Sequence, residues 1–507
     1  MRLTELLKSL NYVLDGNCEA AKDVEITGIC PNSSRVEPGN LYIAIEGLHA
    51  DGHAYIPEAI RKGAVAAVVS RRAVDEGRVD MGNGDFHFIV CDNTRRIMSY
   101  LFAAWYSEPQ ASLKMIGVTG TNGKTSVSRL IYEILTSSGK KCALIGTTGC
   151  RTHLREIAIR SRNPEANMTT PDPEELYAIL AAAADDGCEY AIMEVTSHAL
   201  VFDKVAPITF DVSVFTNLTE DHLDLHESME NYFAAKSKLF DQSRYAVINY
   251  DDRYGRLLAD NISIPATLCT AECRDTGCAA EDIHLYGERG IEYKLTHPNL
   301  RLRVRSPLAG KFNVMNTMQA ALVARRLGVS AKDIKDGLAH FSGIDGRLQR
   351  LRPRETVNFN VYVDYAHTPD ALENLLRAVK GFVTPDQRIV LIFGCGGDRD
   401  RGKRPHMGKI AVEMADFVII TADNSRSERT SDIIGDILSG ISGCCGAAYT
   451  VIEDRRSAIE YAIKNAREGD VILLAGKGHE EYEITSDGKR RFCEREIVTE
   501  LITKYYG

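Results

Sequence analysis

Residues Gly117-Val118-Thr119-Gly120-Thr121-Asn122-Gly123-Lys124-Thr125-Ser126 place three glycines, a lysine and a threonine between an apolar run and a helix-like stretch. A glycine-rich turn at such a junction lets backbone N–H groups close around phosphate oxygens, and the helix N-terminus adds partial positive charge. Lys124 would then reach the terminal phosphates of a nucleotide, and the Thr125 hydroxyl would help hold Mg²⁺. Gly120, Thr121, Asn122, Gly123 and Ser126 complete the cradle. The common pattern G-x-x-x-x-G-K-[ST] asks for glycine at position 118, where this chain has valine. Glu194 follows the apolar run 190–193, and a carboxylate at a strand end beside a phosphate loop commonly holds Mg²⁺. Further on, Glu220, Asp221, His222, Asp224 and His226 put two histidines and three acids in seven residues after another apolar run. That donor set suits Mg²⁺ or Mn²⁺. Taken alone, both features are also compatible with solvated loops.

Such groups need strands to carry them. From 114 onward, strand-like runs (115–118, 142–145, 190–193, 212–215, 246–248) alternate with helical ones (126–134, 173–184, 229–240). Alternation of this kind predicts a mostly parallel sheet with helices on both faces. Before it, apolar runs at 41–45 and 64–69 with a helix at 56–62 predict a small α/β domain. A helix over 94–106 leads into Ser107-Glu108-Pro109, which reads as a linker. Residues 263–306 hold short β-like pieces and no readable motif. Residues 343–350 read as a second linker, and strands at 360–363, 389–393, 417–421 and 471–474 open a new series. That series predicts a doubly wound, dinucleotide-binding-like domain, although G-x-G-x-x-G is missing. The fold class expected is therefore α/β in three domains. A small N-terminal α/β domain covers 1–108, a central P-loop parallel-sheet ATPase domain 109–346, and a C-terminal Rossmann-like domain 347–507.

Composition agrees with that division. A chain of 507 residues is too long for one core and suggests about three domains. Hydrophobic residues at 44% and charged residues at 26% are ordinary for a soluble globular protein. A net charge of −9 argues against nucleic-acid binding over a broad basic surface. No apolar run reaches the ~20 residues that span a bilayer, so membrane insertion is not expected. Residues 1–14 are amphipathic with Lys8 inside them, without the apolar core and cleavage site of a signal peptide, so a cytoplasmic location is expected. Thirteen cysteines without framework spacing suggest reduced thiols. Cys269, Cys273 and Cys278 with His284 contain no C-x-x-C pair to suggest zinc, and Cys444-Cys445 reads as a loop pair.

GVTGTNGKTS, MEVTSHAL and FTNLTEDHLDLH, in that order, resemble the ATP-dependent Mur ligases. VDYAHTPDALENLL, GCGGDRDRGKRPHMG, TADNSRSE and AGKGHEEYE carry the resemblance through the third domain, so it runs from Ser34 to about Glu480. These last motifs are similar to those of the members that add a diamino acid. The resemblance implies a cytoplasmic, monomeric ligase of peptidoglycan precursor synthesis. Its substrates would be ATP, UDP-N-acetylmuramoyl-L-alanyl-D-glutamate and meso-2,6-diaminopimelate. The D-Glu side-chain carboxylate would be phosphorylated to an acyl phosphate, the incoming amine would attack, and phosphate would leave a tetrahedral intermediate. The chemistry is reasonable, because a carboxylate alone would have to expel oxide. Mg²⁺ and Lys124 offset the charge that gathers during phosphoryl transfer.

Residue by residue, the resemblance implies Thr125 and Glu194 at a first Mg²⁺ and His222 at a second. Lys236 matches a lysine that the family carbamylates, which would turn a cation into a carboxylate-like metal ligand. Its position alone reads as a surface helix lysine. Asn249, beside Asp251-Asp252, and Asn313 would border the nucleotide. Arg347 would approach its phosphates when the domains close, and Asp364 and His367 would face it from the third domain. Ser34 and Arg35, with Gly47 and Asp51-Gly52-His53, resemble the uridine-diphosphate motif. Thr169, Thr170, Thr196 and Lys204 would contact the muramoyl dipeptide. Here Ser33 replaces the usual aspartate, Thr196 a serine, Lys204 an arginine, Phe202 in some relatives a glutamine, and Glu220 an arginine. Lysine keeps the charge of arginine but loses its bidentate fork.

For the amino acid, Arg399 would grip one carboxylate, and Gly476 and Glu480 would receive the distal amino and carboxylate groups. Asp423-Asn424-Ser425-Arg426 resembles the DNPR motif of diaminopimelate-adding enzymes, with serine for proline. Arg426 can pair bidentately with a distal carboxylate, which lysine as substrate lacks. The alternatives are a lysine-adding ligase and a folylpolyglutamate- or cyanophycin-type amide ligase. The latter would share the phosphate loop and metal residues but lack the uridine and Arg426 motifs. A non-catalytic ATP-binding scaffold would be expected to lose Lys124, Glu194, His222 or Lys236, and all four are present.

Overall fold

A computed structural model describes residues 1–8, 10, 24–47, 50–82, 86–158, 168–272, 276–351, 357–441, 443 and 446–507. Cys273, Cys444 and Cys445 lie outside them, as do residues 11–14. Four parallel strands open the chain, side by side in sequence order: Gly28–Cys30, Asn40–Ile43, Ala66–Ser70 and His87–Cys91. Helix Thr94–Trp105 follows, N-capped by the Asn93 side chain. It packs on helix Pro173–Asp185 of the next unit. Ser99 Oγ donates to Asp203 O at 2.7 Å across the same junction.

The second sheet has eight strands. Ala266–Cys269, Ala246–Asn249, Val212–Phe215, Lys114–Thr119, Tyr190–Glu194 and Cys142–Gly146 run parallel in that spatial order. Gly149–Arg151 and Glu156–Ile157 extend it antiparallel. The central strands are buried along nearly their whole length, as a sheet covered on both faces requires. One face packs on helices Lys124–Ser137 and Phe312–Arg326. The other packs on Pro173–Asp185 and Met229–Asp241. The phosphate-loop helix starts at Lys124, two residues ahead of the predicted start, because Gly123 at φ 87° serves as its cap. A β-carbon at Gly123 would also lie 2.8 Å from Asn316 Oδ1.

Residues 263–306, unreadable by motif, supply strand Ala266–Cys269 and then a separate antiparallel sheet of Ala279–Leu285, Ile291–His297 and Leu300–Ser306. Cys269 and Cys278 are buried against each other, while His284 on this small sheet is exposed.

The third sheet runs Gln349–Leu351, Asn360–Asp364, Val471–Ala475, Ile389–Phe393, Phe417–Ile420 and Ala448–Val451, all parallel except the first. Gln349–Leu351 corrects the sequence reading, which assigned residues 343–350 to linker. Three residues give no periodic signal, and only pairing with Asn360–Asp364 makes them a strand. Among the described residues no helix is long and apolar enough to cross a membrane.

Candidate functional site

Ligand crevices in open α/β sheets lie beyond the carboxyl ends of the strands. Here Gly120–Ser126 follows Lys114–Thr119, Glu194 closes Tyr190–Glu194, and Thr216-Asn217 follows Val212–Phe215, three neighbouring strands. Asn217 Oδ1 accepts from Asn122 N at 2.9 Å and Thr216 Oγ1 donates to Asn122 O at 2.6 Å, which fixes the loop. Lys124 Nζ donates to the carbonyls of Gly120 and Thr121, both at 2.9 Å. Thr125 Oγ1 donates to Glu194 Oε2 at 2.9 Å. Thr147 braces the same carboxylate through its N–H at 2.8 Å and its hydroxyl at 3.1 Å. Hydroxyl and carboxylate oxygens in this arrangement suit a hard divalent cation.

The crevice continues into a cleft lined by Asn122, Ser126, Asn249, Asn313, Arg347 and Asp364 among others. Asp251 and Asp252, expected to border the same ligand, also make local structural contacts. Asp251 accepts from Thr270 Oγ1 and Ala271 N, and Asp252 caps helix Arg253–Asn261.

Beside the loop stands a cluster of His198, His222, His226, Tyr232 and Lys236. The His198 and His222 ring centroids are 5.0 Å apart, and His226 stacks on Tyr232 at 4.7 Å. Burial pushes His222 down to about 3 and His198 to about 4, so both are neutral imidazoles able to act as ligands. Lys236 is 1% exposed. Its Nζ donates to Gly120 O at 2.9 Å and lies 4.6 Å from the Tyr232 ring centre. Burial, and then the nearby Lys124 charge, hold its amine well below the usual lysine range.

On the N-terminal side, Thr169 Oγ1 meets Thr147 Oγ1 at 3.0 Å, and Thr170 Oγ1 donates to Glu194 O at 2.9 Å. Thr196 takes a 3.2 Å bond from Thr170 and caps helix Ser197–Val201. Lys204 is buried and pairs with Asp172 at 2.8 Å. Ser34 sits exposed on Asn32, and Arg35 reaches Glu174 at 3.7 Å. The Arg95 guanidinium lies 4.6 Å above Phe202, a contact that gives the aromatic ring at this position a partner.

The third sheet turns its strand ends toward this crevice. DYAHTPD follows Asn360–Asp364, AGKGHE spans the end of Val471–Ala475, GCGGDR follows Ile389–Phe393, and DNSR follows Phe417–Ile420, again adjacent strands. The domains are closed. Arg347 Nη2 donates to Thr125 Oγ1 at 3.2 Å, and Asn122 Nδ2 to Asp370 Oδ2 at 2.7 Å. Lys403 Nζ lies 3.4 Å from Asp221 Oδ1, both nearly buried. His367 is not among the cleft lining, where it was expected. Its Nδ1 meets Tyr365 O at 2.8 Å, and the ring lies toward Lys403 and Asp221. On the same strand ends, Asn424 Nδ2 donates to Glu480 Oε2 at 2.8 Å. Gly476, at φ 114°, lets Asp423 Oδ2 approach to 2.9 Å of where a β-carbon would stand. Arg426 Nη1 donates to Gly397 O at 2.8 Å, and Arg399 Nη1 to Asp398 O at 2.8 Å.

Three family profiles match in order along the chain. The Mur ligase family catalytic domain matches residues 25–106, the Mur ligase middle domain 118–324, and the Mur ligase glutamate ligase domain 346–478. The UDP-N-acetylmuramoyl-L-alanyl-D-glutamate–2,6-diaminopimelate ligase of Syntrophomonas wolfei is 39% identical over 99% of both chains. The chain belongs to the Mur ligase family. The ligase of the same name from Synechococcus elongatus is 41% identical over 98% of each chain. A solved structure of an enzyme with that name superposes with a TM-score of 0.66 at 30% identity, covering all of both chains.

Within this Mur ligase, several residues near the site carried no assigned role in the sequence reading, among them Asn217, Asp370, Lys477, Thr147 and Lys403. Asn217, Asp370 and Lys477 lie inside quoted motifs, so the signal was there without a role attached. Thr147 lies outside every motif, and only the fold brings it to Glu194. The Lys403–Asp221 pair joins residues 182 apart and likewise has no local signal. It bridges the second and third domains, and a buried pair that loses one partner costs about 3–5 kcal/mol. Lys403→Met is therefore expected to favour an open arrangement, read by X-ray scattering as a larger radius of gyration. An unchanged radius would mean that the pair contributes nothing to closure.

Proposed function

We propose that this Mur ligase joins meso-diaminopimelate to the D-glutamyl carboxylate of UDP-N-acetylmuramoyl-L-alanyl-D-glutamate, using ATP and passing through an acyl phosphate. The observation that carries this reading is the pair of guanidiniums, Arg399 and Arg426, beside the Asn424–Glu480 contact. Among the described residues neither arginine has a carboxylate within ion-pair distance. A diamino acid with a second carboxylate supplies what they lack. The same reading divides the chain after residues 108 and 346 and takes it as a monomer acting in the cytoplasm.

ATP lies in the cleft lined by Asn249, Asn313 and Asp364, with its phosphates in the Gly120–Ser126 cradle. Lys124 leaves its two carbonyl partners for the β- and γ-phosphates. Arg347, already 3.2 Å from Thr125, reaches the γ-phosphate from the third domain and neutralises charge as the phosphoryl group moves. Thr125 and Glu194 would hold one Mg²⁺, and His222 with carbamylated Lys236 a second. When bound, these ions supply charge neutralisation on phosphate and carboxylate oxygens. Ser34 and Arg35 take the uridine diphosphate, and Thr169, Thr170, Thr196 and Lys204 the dipeptide. Asp423, Asn424, Gly476 and Glu480 orient the diamino acid so that one amine faces the acyl phosphate. Closure of the third domain excludes water, which would hydrolyse that intermediate.

Phosphate release is the direct test. It is expected only when the UDP-dipeptide and meso-diaminopimelate are both present, with lysine and ornithine far slower. Faster addition of lysine would overturn the diaminopimelate reading.

A further inference from the structure

Lys477 is fully buried, with its ammonium among pocket-forming atoms. Nζ donates to Asn424 Oδ1 at 3.0 Å and to Tyr482 O at 3.0 Å, and lies 3.4 Å from Asp423 Oδ1. The Phe492 ring closes the remaining side, its centre 5.6 Å away. Asn424 Oδ1 also accepts from Ile484 N at 3.0 Å, and its Nδ2 donates to Glu480 Oε2 at 2.8 Å. This amide therefore has a single workable orientation. Turned over, it would set NH₂ against an ammonium and an N–H, and its carbonyl oxygen against a carboxylate.

We propose that Lys477 is a positioning residue for the diamino acid: it holds Asp423 and Asn424 so that Glu480 is presented to the distal end of the substrate. The proposal rests on the reading of this pocket as the amino-acid site. Two acids, Asp423 and Glu480, stand close in a buried place. Burial alone would raise Asp423, but Lys477 and then Arg455 outweigh it and keep the carboxylate charged. Burial, and then the Asp423 charge, raise Glu480. Without the Lys477 ammonium the two carboxyls lose their nearest compensating charge, with Arg455 left beside Asp423 and Arg426 beside Glu480, and Asn424 has one donor fewer to hold it. The loop bases do not depend on Lys477. Arg455 donates to Ala422 O at 3.1 Å and Ala475 O at 2.8 Å, and pairs with Glu494 at 2.7 Å. Arg455 thus ties together the two strand ends from which the loops leave, and the fold should survive a change at Lys477.

The test is steady-state kinetics of Lys477→Met and Lys477→Gln, with each substrate varied in turn. Misplacing a positioning group costs about a hundredfold. Lys477→Met should raise KM for the diamino acid by roughly that factor, while KM for ATP and for the UDP-dipeptide stays at the wild-type value. Lys477→Gln keeps a donor for Asn424 and should fall between the two. Asn424→Leu should also raise the diamino-acid KM. The double variant Lys477→Met/Asn424→Leu should then fall short of the product of the two singles, since part of the Lys477 effect runs through Asn424. An unchanged diamino-acid KM in a folded variant would overturn the proposal, and so would a parallel rise in all three KM values. If Lys477→Met does not fold, Lys477→Gln is judged by the same criteria. Wild-type preference between diaminopimelate and lysine is measured separately. A failure there sinks the substrate reading, while the variants are still judged with whichever diamino acid the wild type uses.

Discussion

Lys236→Ala is expected to lose ligase activity by on the order of a thousandfold, the scale of about 4 kcal/mol of transition-state stabilisation. Added formate or acetate should return part of it. The reason is electrostatic. Lys236 is buried beside Lys124, and its Nζ has a carbonyl and an aromatic face for company. As an ammonium it would repel Lys124 in the place where phosphate charge must be balanced. As the neutral amine that burial favours, it can add to CO₂. A nitrogen–carbon bond forms, one proton is released, and the product carries a carboxylate-like pair of oxygens. That group offsets Lys124 and offers oxygens toward neutral His222. A small carboxylate diffusing into the space left by alanine could do part of the same. The competing role, a plain buried amine that only packs, predicts something else. Lys236→Met would then keep near-full activity, and carboxylates would change nothing. Assays of Lys236→Ala and Lys236→Met with and without formate separate the two.

Much of the frame was legible because it is written locally. Strands such as Tyr190–Glu194 and Ile389–Phe393 are short apolar runs bounded by turns, and their predicted limits differ from the structure by at most a residue. The phosphate loop was equally plain, since Gly123 must take a positive φ and Lys124 must follow it. Legibility ends where a residue's meaning is set by a distant partner. Leu300–Ser306 alternates Leu and Val with Arg, which reads as a β-like piece, but its partner strand Ile291–His297 and the separate sheet they form were not legible. Lys236 sits on a helix whose sequence permits a solvated face, yet the Gly120 carbonyl 116 residues away is its hydrogen-bond partner. Asp251 and Asp252 carry a second meaning the sequence did not show. They look like ligand contacts and are used to cap a helix and pin a strand end. Of the closed arrangement only the approach of Arg347 was anticipated, because the Asp370–Asn122 and Lys403–Asp221 contacts join residues far apart in sequence.

Arg426→Lys is expected to lower kcat/KM for meso-diaminopimelate by roughly a hundredfold, and Arg426→Ala to erase most of the preference over lysine. Charge-assisted bidentate bonds are about twice as strong as neutral ones, and the ammonium of lysine cannot supply the fork. Arg426 takes φ 50° at the tip of its turn, a left-handed conformation that costs about 1–2 kcal/mol in a non-glycine residue. The turn directs Nη1 to Gly397 O and Asn424 O and leaves the rest of the fork available. A β-carbon at Gly396 would come within 3.0 Å of that Nη1, so the glycine loop and the arginine fit each other. Arg399 lies near enough that, after burial, the Arg426 charge is the main influence lowering its affinity for a proton. Two guanidiniums held this close, with no acid paired to either among the described residues, raise the energy of the empty pocket. A carboxylate entering between them relieves that repulsion, and the α-carboxylate of lysine can satisfy only one recognition point of the two that diaminopimelate fills. Isothermal titration of each variant with diaminopimelate and with lysine, in the presence of a non-hydrolysable ATP analogue, measures the difference directly. Equal loss for both amino acids in Arg426→Ala would show that the arginine holds the α-carboxylate, and the selectivity would then have to come from Glu480 and its neighbours.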